Sequence, residues 1–294
     1  CIGSSGMLAW FLAVFWFLGS ALLLRCQKGK KPKKRAAGRS LKAYVCESQG
    51  RRRYMEDKHV CLPDLGGGCS AGFFGVFDGH GGNAASSFAA THLHNFILES
   101  LSLGFPAAMF AGFAKLDRMW TTYAKRMNLR DGSTAVVLMV IDRIMVVANL
   151  GDSRIVLASN GHAVQLSRDH KPNKPAERAR IESLGGCVRM VCGTYRLQGV
   201  LATSRALGNV TLKPYLSAEP DVVQRKLSHK DDFAVIASDG LWDVVGPQEA
   251  VSLASRQRTV KAAAHVLLDR ALEAGTSDNV TVLVVDLKAY YLGQ

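Results

Sequence analysis

Paired cysteines are missing from this chain. Its seven cysteines, Cys1, Cys26, Cys46, Cys61, Cys69, Cys187 and Cys192, are an odd number with no zinc-type spacing. That points to no disulfide framework or structural zinc site, and it fits a reducing compartment. Internal repeats and low-complexity tracts are lacking beyond one basic stretch. Acids are scarce at one end: residues 1–53 hold twelve Lys and Arg against Glu47 alone, a net of +11 out of +13, leaving +2 for the other 241 residues. Positive charge confined in this way disfavours a nucleic-acid binder, and no nucleic-acid partner is expected.

Charge is absent from residues 7–24, MLAWFLAVFWFLGSALLL. As a helix this run spans about 27 Å, just sufficient for a hydrocarbon core. A cleaved signal peptide is the competing reading, but the run exceeds the usual h-region, lacks a basic n-region and is followed by no small-x-small cleavage site. Residues 1–24 are therefore expected to form a single-pass membrane anchor. Arg25, Lys28, Lys30, Lys31, Lys33, Lys34, Arg35 and Arg39 follow at once. The positive-inside tendency puts this linker, residues 25–42, and everything beyond it in the cytoplasm. The linker has two equal readings: a solvated stalk, or a contact to anionic lipid worth about 1 kcal/mol per basic residue near the surface. The first residue is Cys1, so either Met7 is the true start or the sequence is incomplete. Cys26 reads as a plain free thiol.

The stretch around which the rest is organised is Phe73 to Gly82, FFGVFDGHGG. A short aromatic and β-branched run bounded by glycines reads as a buried strand. The glycines behind it let the backbone turn sharply and approach a ligand, presenting Asp78 and His80 at the strand end. Other acids occupy similar settings: Glu56 and Asp57 in RRRYMED, Asp152 in NLGDSR, Asp239 and Asp243 in VIASDGLWDV, and Asp278 in TSDNVTVLVV. Taken singly, an acid beside a strand is more often a solvated turn residue. If these converge, their repulsion raises their pKa values unless a cation neutralises them, and oxygen-only ligation favours magnesium or manganese over zinc.

In order, RRYMED, FDGHGG, GSTAVV, GDSR, DHKP, LATSRALG, SDGLWDV and SDNVTV resemble the motif sequence of the metal-dependent type 2C protein serine/threonine phosphatases. The resemblance covers residues 43–288, leaving 289–294 as a tail. It implies an α+β fold of two packed antiparallel β-sheets flanked by helices, with metals in a cleft at one end. It implies two Mg2+ or Mn2+ ions: Asp78 bridges them, Asp239 and Asp278 complete one, and Glu56 with the Gly79 carbonyl holds the other, Asp57 supporting. Asp152 and Asp243, with Asp239, suit a third, weaker ion. Arg52 would bind the substrate phosphate, where a planar guanidinium suits bidentate capture. His80 would protonate the leaving serine or threonine oxygen. The expected partners are phosphorylated proteins and a membrane, the chain being a monomer. A catalytically dead scaffold is the alternative.

One position departs from the family, which usually has aspartate where Asn209 stands; that puts a local hydrogen bond in question, not the primary ligands. His59, His92, His94 and His170 read as structural residues, and Trp242 as core. Helices are expected over 83–100, 105–127, 175–184, 247–256 and 260–274 from their apolar spacing and glycine or proline punctuation. Residues 132–166 read as a β-meander with turns at Asp142-Arg143 and Ser159-Asn160-Gly161.

Overall fold

The computed structural model describes residues 41–66 and 71–288. The expected anchor (7–24), the basic run to Arg39, Cys1, Cys26, Cys69 and the tail lie outside the described residues. Among the described residues no helix is long and apolar enough to cross a membrane.

Four layers are stacked. One five-stranded sheet contains β1 (Ala43–Ser48), β8 (Arg154–Ser159), β9 (His162–Gln165), β14 (Asp231–Ala237) and β15 (Val280–Asp286), in the order β1-β15-β14-β8-β9. The other contains β2 (Lys58–Leu62), β3 (Ala71–Phe77), β6 (Ala135–Ile141), β7 (Ile144–Leu150) and β13 (Asp221–Lys226), in the order β13-β7-β6-β3-β2. Every pairing within them is antiparallel.

Strand periodicity sets the layers. Alternate side chains leave opposite faces, so Phe74 and Val76 of β3 meet Ile155, Leu157, Ile236 and Leu283 between the sheets. Phe73 and Phe77 point the other way, into helices α1 (Ala84–Glu99) and α2 (Phe105–Met127). The outer face of the first sheet, Val156, Val235 and Val282, packs against α5 (Pro247–Ser255) and α6 (Val260–Glu273). Both faces of β3 are thus covered, which is why its sequence is continuously apolar. Leu41, the first described residue, is buried between the sheets.

The expected helices are present, including α3 (Pro175–Ser183), which ends before Gly185 in a left-handed conformation. Both expected turns form, with positive φ at Asp142, Asn160 and Gly161. The reading of 132–166 as one meander is corrected. The β6-β7 hairpin belongs to one sheet and the β8-β9 hairpin to the other, and the chain crosses between them at Gly151–Ser153. A crossing at an end of the sandwich leaves Asp152 beside the strand ends instead of midway along a sheet. A third, small sheet was not anticipated: β4 (Gly79–His80) pairs with β5 (Gly132–Ser133), which pairs with β12 (Leu207–Gly208). The exposed hairpin of β10 (Val188–Val191) and β11 (Thr194–Leu197) was also unforeseen.

Candidate active site

Asp78 sits between β3 and β4, where the chain leaves one sheet for the small one. Thr134 clamps it there: Asp78 N–H donates to Thr134 Oγ1 at 3.2 Å, and Thr134 N–H donates to the Asp78 carbonyl at 2.9 Å. Gly79 has no room for a side chain, since a Cβ would collide with the Glu56 carbonyl oxygen and lie 2.7 Å from the Ser86 hydroxyl. That close approach packs the strand end against the segment carrying Glu56.

Glu56 is tied down on three sides. Its N–H donates to Asn279 Oδ1 at 2.8 Å, its carbonyl accepts from Ser86 Oγ at 2.6 Å, and its Oε1 accepts from Gly82 N–H at 2.5 Å. Asn279 also donates to the carbonyls of Gln49 and Tyr54. One amide therefore staples the segment bearing Arg52 and Glu56 to the chain entering β15. Asn279 lies inside the SDNV motif, yet the sequence alone assigned it no task. Asp57 is buried, and its Oδ2 accepts from Ser238 Oγ (2.7 Å) and Thr281 Oγ1 (2.8 Å). Its Oδ1 is buried without a hydrogen-bond partner.

Electrostatics show which acids share a neighbourhood. Burial raises the Asp78 carboxyl well above the usual carboxylate range, and Asp239, Asp57, Asp152 and Asp278 raise it further. Asp239 opens the short helix α4 (Asp239–Trp242). Its carboxyl is likewise raised, by burial and then by Asp152 and Asp243, with Asp278 adding. Asp57 is pushed up to about 6, burial and nearby Asp278 and Glu47 outweighing its two hydroxyl donors. Asp243 is raised by burial and Asp152 against Lys171 and Arg154. Carboxylates from five separate segments thus repel one another at one end of the sandwich.

Among the described residues, no three Asp, Glu, His or Cys side chains stand together in a ligating group. Two of the acids are instead paired with the chain's own cations: Arg52 Nη2 lies 2.5 Å from Asp278 Oδ2, and Lys171 Nζ 2.5 Å from Asp152 Oδ2. Lys171 is held charged, because Asp152, Asp239 and Asp243 outweigh the penalty of burial. Sequence reasoning placed Arg52 here but missed Lys171, although it stands in the DHKP motif. The donor set fits a hard divalent cation in kind: it is oxygen-only, mostly half-buried, mutually repelling, and includes a buried, unpartnered Asp57 oxygen.

His80 occupies the second position of β4, and Asn209 Oδ1 lies 2.7 Å from its Nε2. Burial lowers the imidazole pKa, opposed by Asn209 and by Asp152, Glu56 and Asp131. The hydrogen bond questioned at Asn209 is therefore present. Asp131, also missed, accepts from Ala85 N–H at the start of α1, at 2.7 Å. His59, His92, His94 and His170, read as structural, make packing, side-chain or backbone contacts. His59 meets Glu47, His92 and His94 pack on phenylalanines, and His170 Nδ1 accepts from Gly151 N–H at 3.0 Å. Trp242 is buried.

A helix-sheet-sheet-helix sandwich with an acid-lined end defines a class of α+β proteins whose strand ends build the site. Residues 41–280 match the family model described as Protein phosphatase 2C, and the chain belongs to that family. It is 39% identical over 251 residues to Probable protein phosphatase 2C 76 of Arabidopsis thaliana, covering 85% of this chain and 60% of that one. It is 40% identical over 250 residues to Protein phosphatase 1E of Mus musculus, covering 81% and 33%. The chain thus spans less than two thirds of both relatives. Among solved structures, a C. elegans sex determining protein superposes with a TM-score of 0.79 at 30% identity, covering 85% of this chain and 65% of that one. Serine-threonine phosphatase 2C from Toxoplasma gondii does so with 0.73 at 24%, covering 87% and 98%, a likeness of fold.

Proposed function

We propose that this chain is a metal-dependent protein serine/threonine phosphatase, hydrolysing phosphoserine and phosphothreonine in proteins directly, without a covalent intermediate. What supports the reading is the elevation of both Asp78 and Asp239 by burial and by acids from distant segments in a member of this family. Asp78, Asp239, Asp278, Glu56 and the Gly79 carbonyl are the groups to hold two Mg2+ or Mn2+ ions, with Asp57 behind them. Bound there, such cations would lower the pKa of a water and offset charge developing at phosphorus. Asp152, Asp239 and Asp243 would offer a third, weaker position, which starts at a disadvantage because Lys171 already neutralises Asp152.

Arg52 is 54% exposed at its side chain, which leaves guanidinium donors free to take a substrate phosphate beside the acids. His80 gives its proton to the departing serine or threonine oxygen. We read residues 7–24 as a membrane anchor that keeps the domain on the cytoplasmic face, acting as a monomer on phosphorylated proteins.

The deciding experiment is hydrolysis of a phosphothreonine peptide by a chain starting at Leu41, with and without Mn2+, beside Asp239→Asn. Expected is turnover that EDTA abolishes and the variant loses by orders of magnitude. Equal activity without metal rules out the mechanism, and no activity under any condition favours a scaffold.

A further inference from the structure

Asn209 follows β12 with φ of 46°, in the left-handed region that asparagine tolerates. Its backbone N–H donates to the Asp131 carbonyl at 3.1 Å, and its side-chain Nδ2 donates to the Arg130 carbonyl at 3.2 Å. The second bond fixes the sense of the amide. A carbonyl only accepts, so the nitrogen belongs on that side and the oxygen faces His80; the reverse assignment would set two acceptors against each other. Asn209 Oδ1 can only accept, so at 2.7 Å the imidazole donates from Nε2. The amide reaches His80 past Gly132, where any Cβ would collide with it. His80 and Gly132 are register partners in the small sheet, so ring and amide are held by the same three strands. No bond to His80 Nδ1 forms among the described residues.

We infer that Asn209 is a positioning residue: it fixes His80 as the Nε2–H tautomer and leaves Nδ1 as the nitrogen that exchanges a proton with the departing oxygen. The tautomer follows from the hydrogen bonds alone, while the role of Nδ1 rests on the phosphatase reading. In that step a water oxygen bonds to phosphorus, its proton leaving to solvent, as the P–O bond to serine or threonine breaks with its electron pair on oxygen. That oxygen takes the proton from Nδ1 of the imidazolium, and the ring is left neutral with its proton on Nε2, still donated to Asn209. Solvent then returns a proton to Nδ1. An amide performs this without a charge, so the carboxylate usual at this position in the family is dispensable for orienting the ring.

The test has a spectroscopic and a kinetic arm, both on the full chain with Mg2+. Long-range 1H–15N spectra of the histidine rings at pH 8, with His80 assigned by its loss in His80→Gln, are expected to show a protonated Nε2 and a bare Nδ1. Asn209→Asp retains that pattern, and Asn209→Leu loses the preference. In the kinetic arm, Asn209→Leu is expected to lower kcat/KM for phenyl phosphate, whose leaving group needs a proton, on the order of 100-fold. For p-nitrophenyl phosphate, whose leaving group does not, it falls only a few-fold, and Asn209→Asp restores the ratio. A general structural defect would lower both esters alike, which overturns the positioning role. Wild-type His80 protonated at Nδ1 overturns the tautomer whether or not Asn209→Leu folds. If wild type cleaves neither ester yet shows the Nε2–H pattern, the tautomer stands and the phosphatase reading falls.

Discussion

Glu177 is a carboxylate with only 7% of its side chain exposed, kept ionised by its neighbours. Burial pushes its carboxyl up, but Arg205, Arg180 and Ser204 outweigh this and bring it down to about 2. Arg205 Nη2 lies 2.6 Å from Oε1, and Arg180 Nη2 2.8 Å from Oε2. Arg205 goes on to Asp221 at 3.2 Å, and Asp221 to His170 at 3.3 Å. His170 in turn accepts from the Gly151 N–H, so the chain of contacts ends at the crossing that carries Asp152. A depressed carboxylate pKa contributes stability above the unfolded value and loses it as pH falls through the folded one. The window here therefore runs from about 4.5 down to about 2. Glu177→Gln is expected to unfold at lower urea concentration at pH 7, by about 3 kcal/mol on the shift alone, with the deficit shrinking towards pH 2. Urea titrations across that range check it; a deficit that does not change with pH would mean that shape, not charge, sets the cost.

Elements were legible in the sequence where a buried face imposes a period. Phe73–Phe77 and the helix over 105–127 read correctly because their apolar spacing is dictated by what covers them. The β10-β11 hairpin was not legible, because its residues are mostly exposed and carry no such pattern. Nor could local pattern show that β7 and β8 join different sheets, since Gly-Asp-Ser reads equally as a turn within one. The acids themselves were recognisable by order and context. Their partners were not: Arg52 with Asp278 and Lys171 with Asp152 are each brought together by the sandwich, up to 226 residues apart. The basic run beyond residue 24 had two equal readings, and salt separates them. A chain from Arg25, lacking the apolar run, is expected to sediment with anionic vesicles at low salt and be released at high salt if the run contacts lipid. A solvated stalk leaves it in the supernatant throughout. The full chain is expected to stay with vesicles at either salt, because insertion into hydrocarbon is not screened; its release at high salt would remove the anchor.

At the scale of the whole molecule, the sandwich gathers acids that repel one another, and protons and divalent cations are alternative ways to relieve that repulsion. Asp78, Asp239 and Asp57 have folded-state pKa values above those of the unfolded chain, Asp57 at about 6. The metal-free native state therefore binds the extra protons. The stability these groups contribute is greatest on the acid side and is lost as pH rises through the raised values. A cation that binds only the folded form adds about 2.7 kcal/mol at a hundred times its Kd, but it competes with those protons. Mn2+ is thus expected to raise Tm more at pH 8 than at pH 5.5. Asp239→Asn removes one charge from the cluster, so its metal-free Tm should exceed that of the parent at pH 8 while its gain on adding Mn2+ shrinks. Thermal unfolding of parent and variant at both pH values, with Mn2+ or EDTA, checks the pair. A Mn2+ gain that is larger at pH 5.5, or undiminished in the variant, would mean that the ion binds elsewhere and that these carboxylates gather for some other reason.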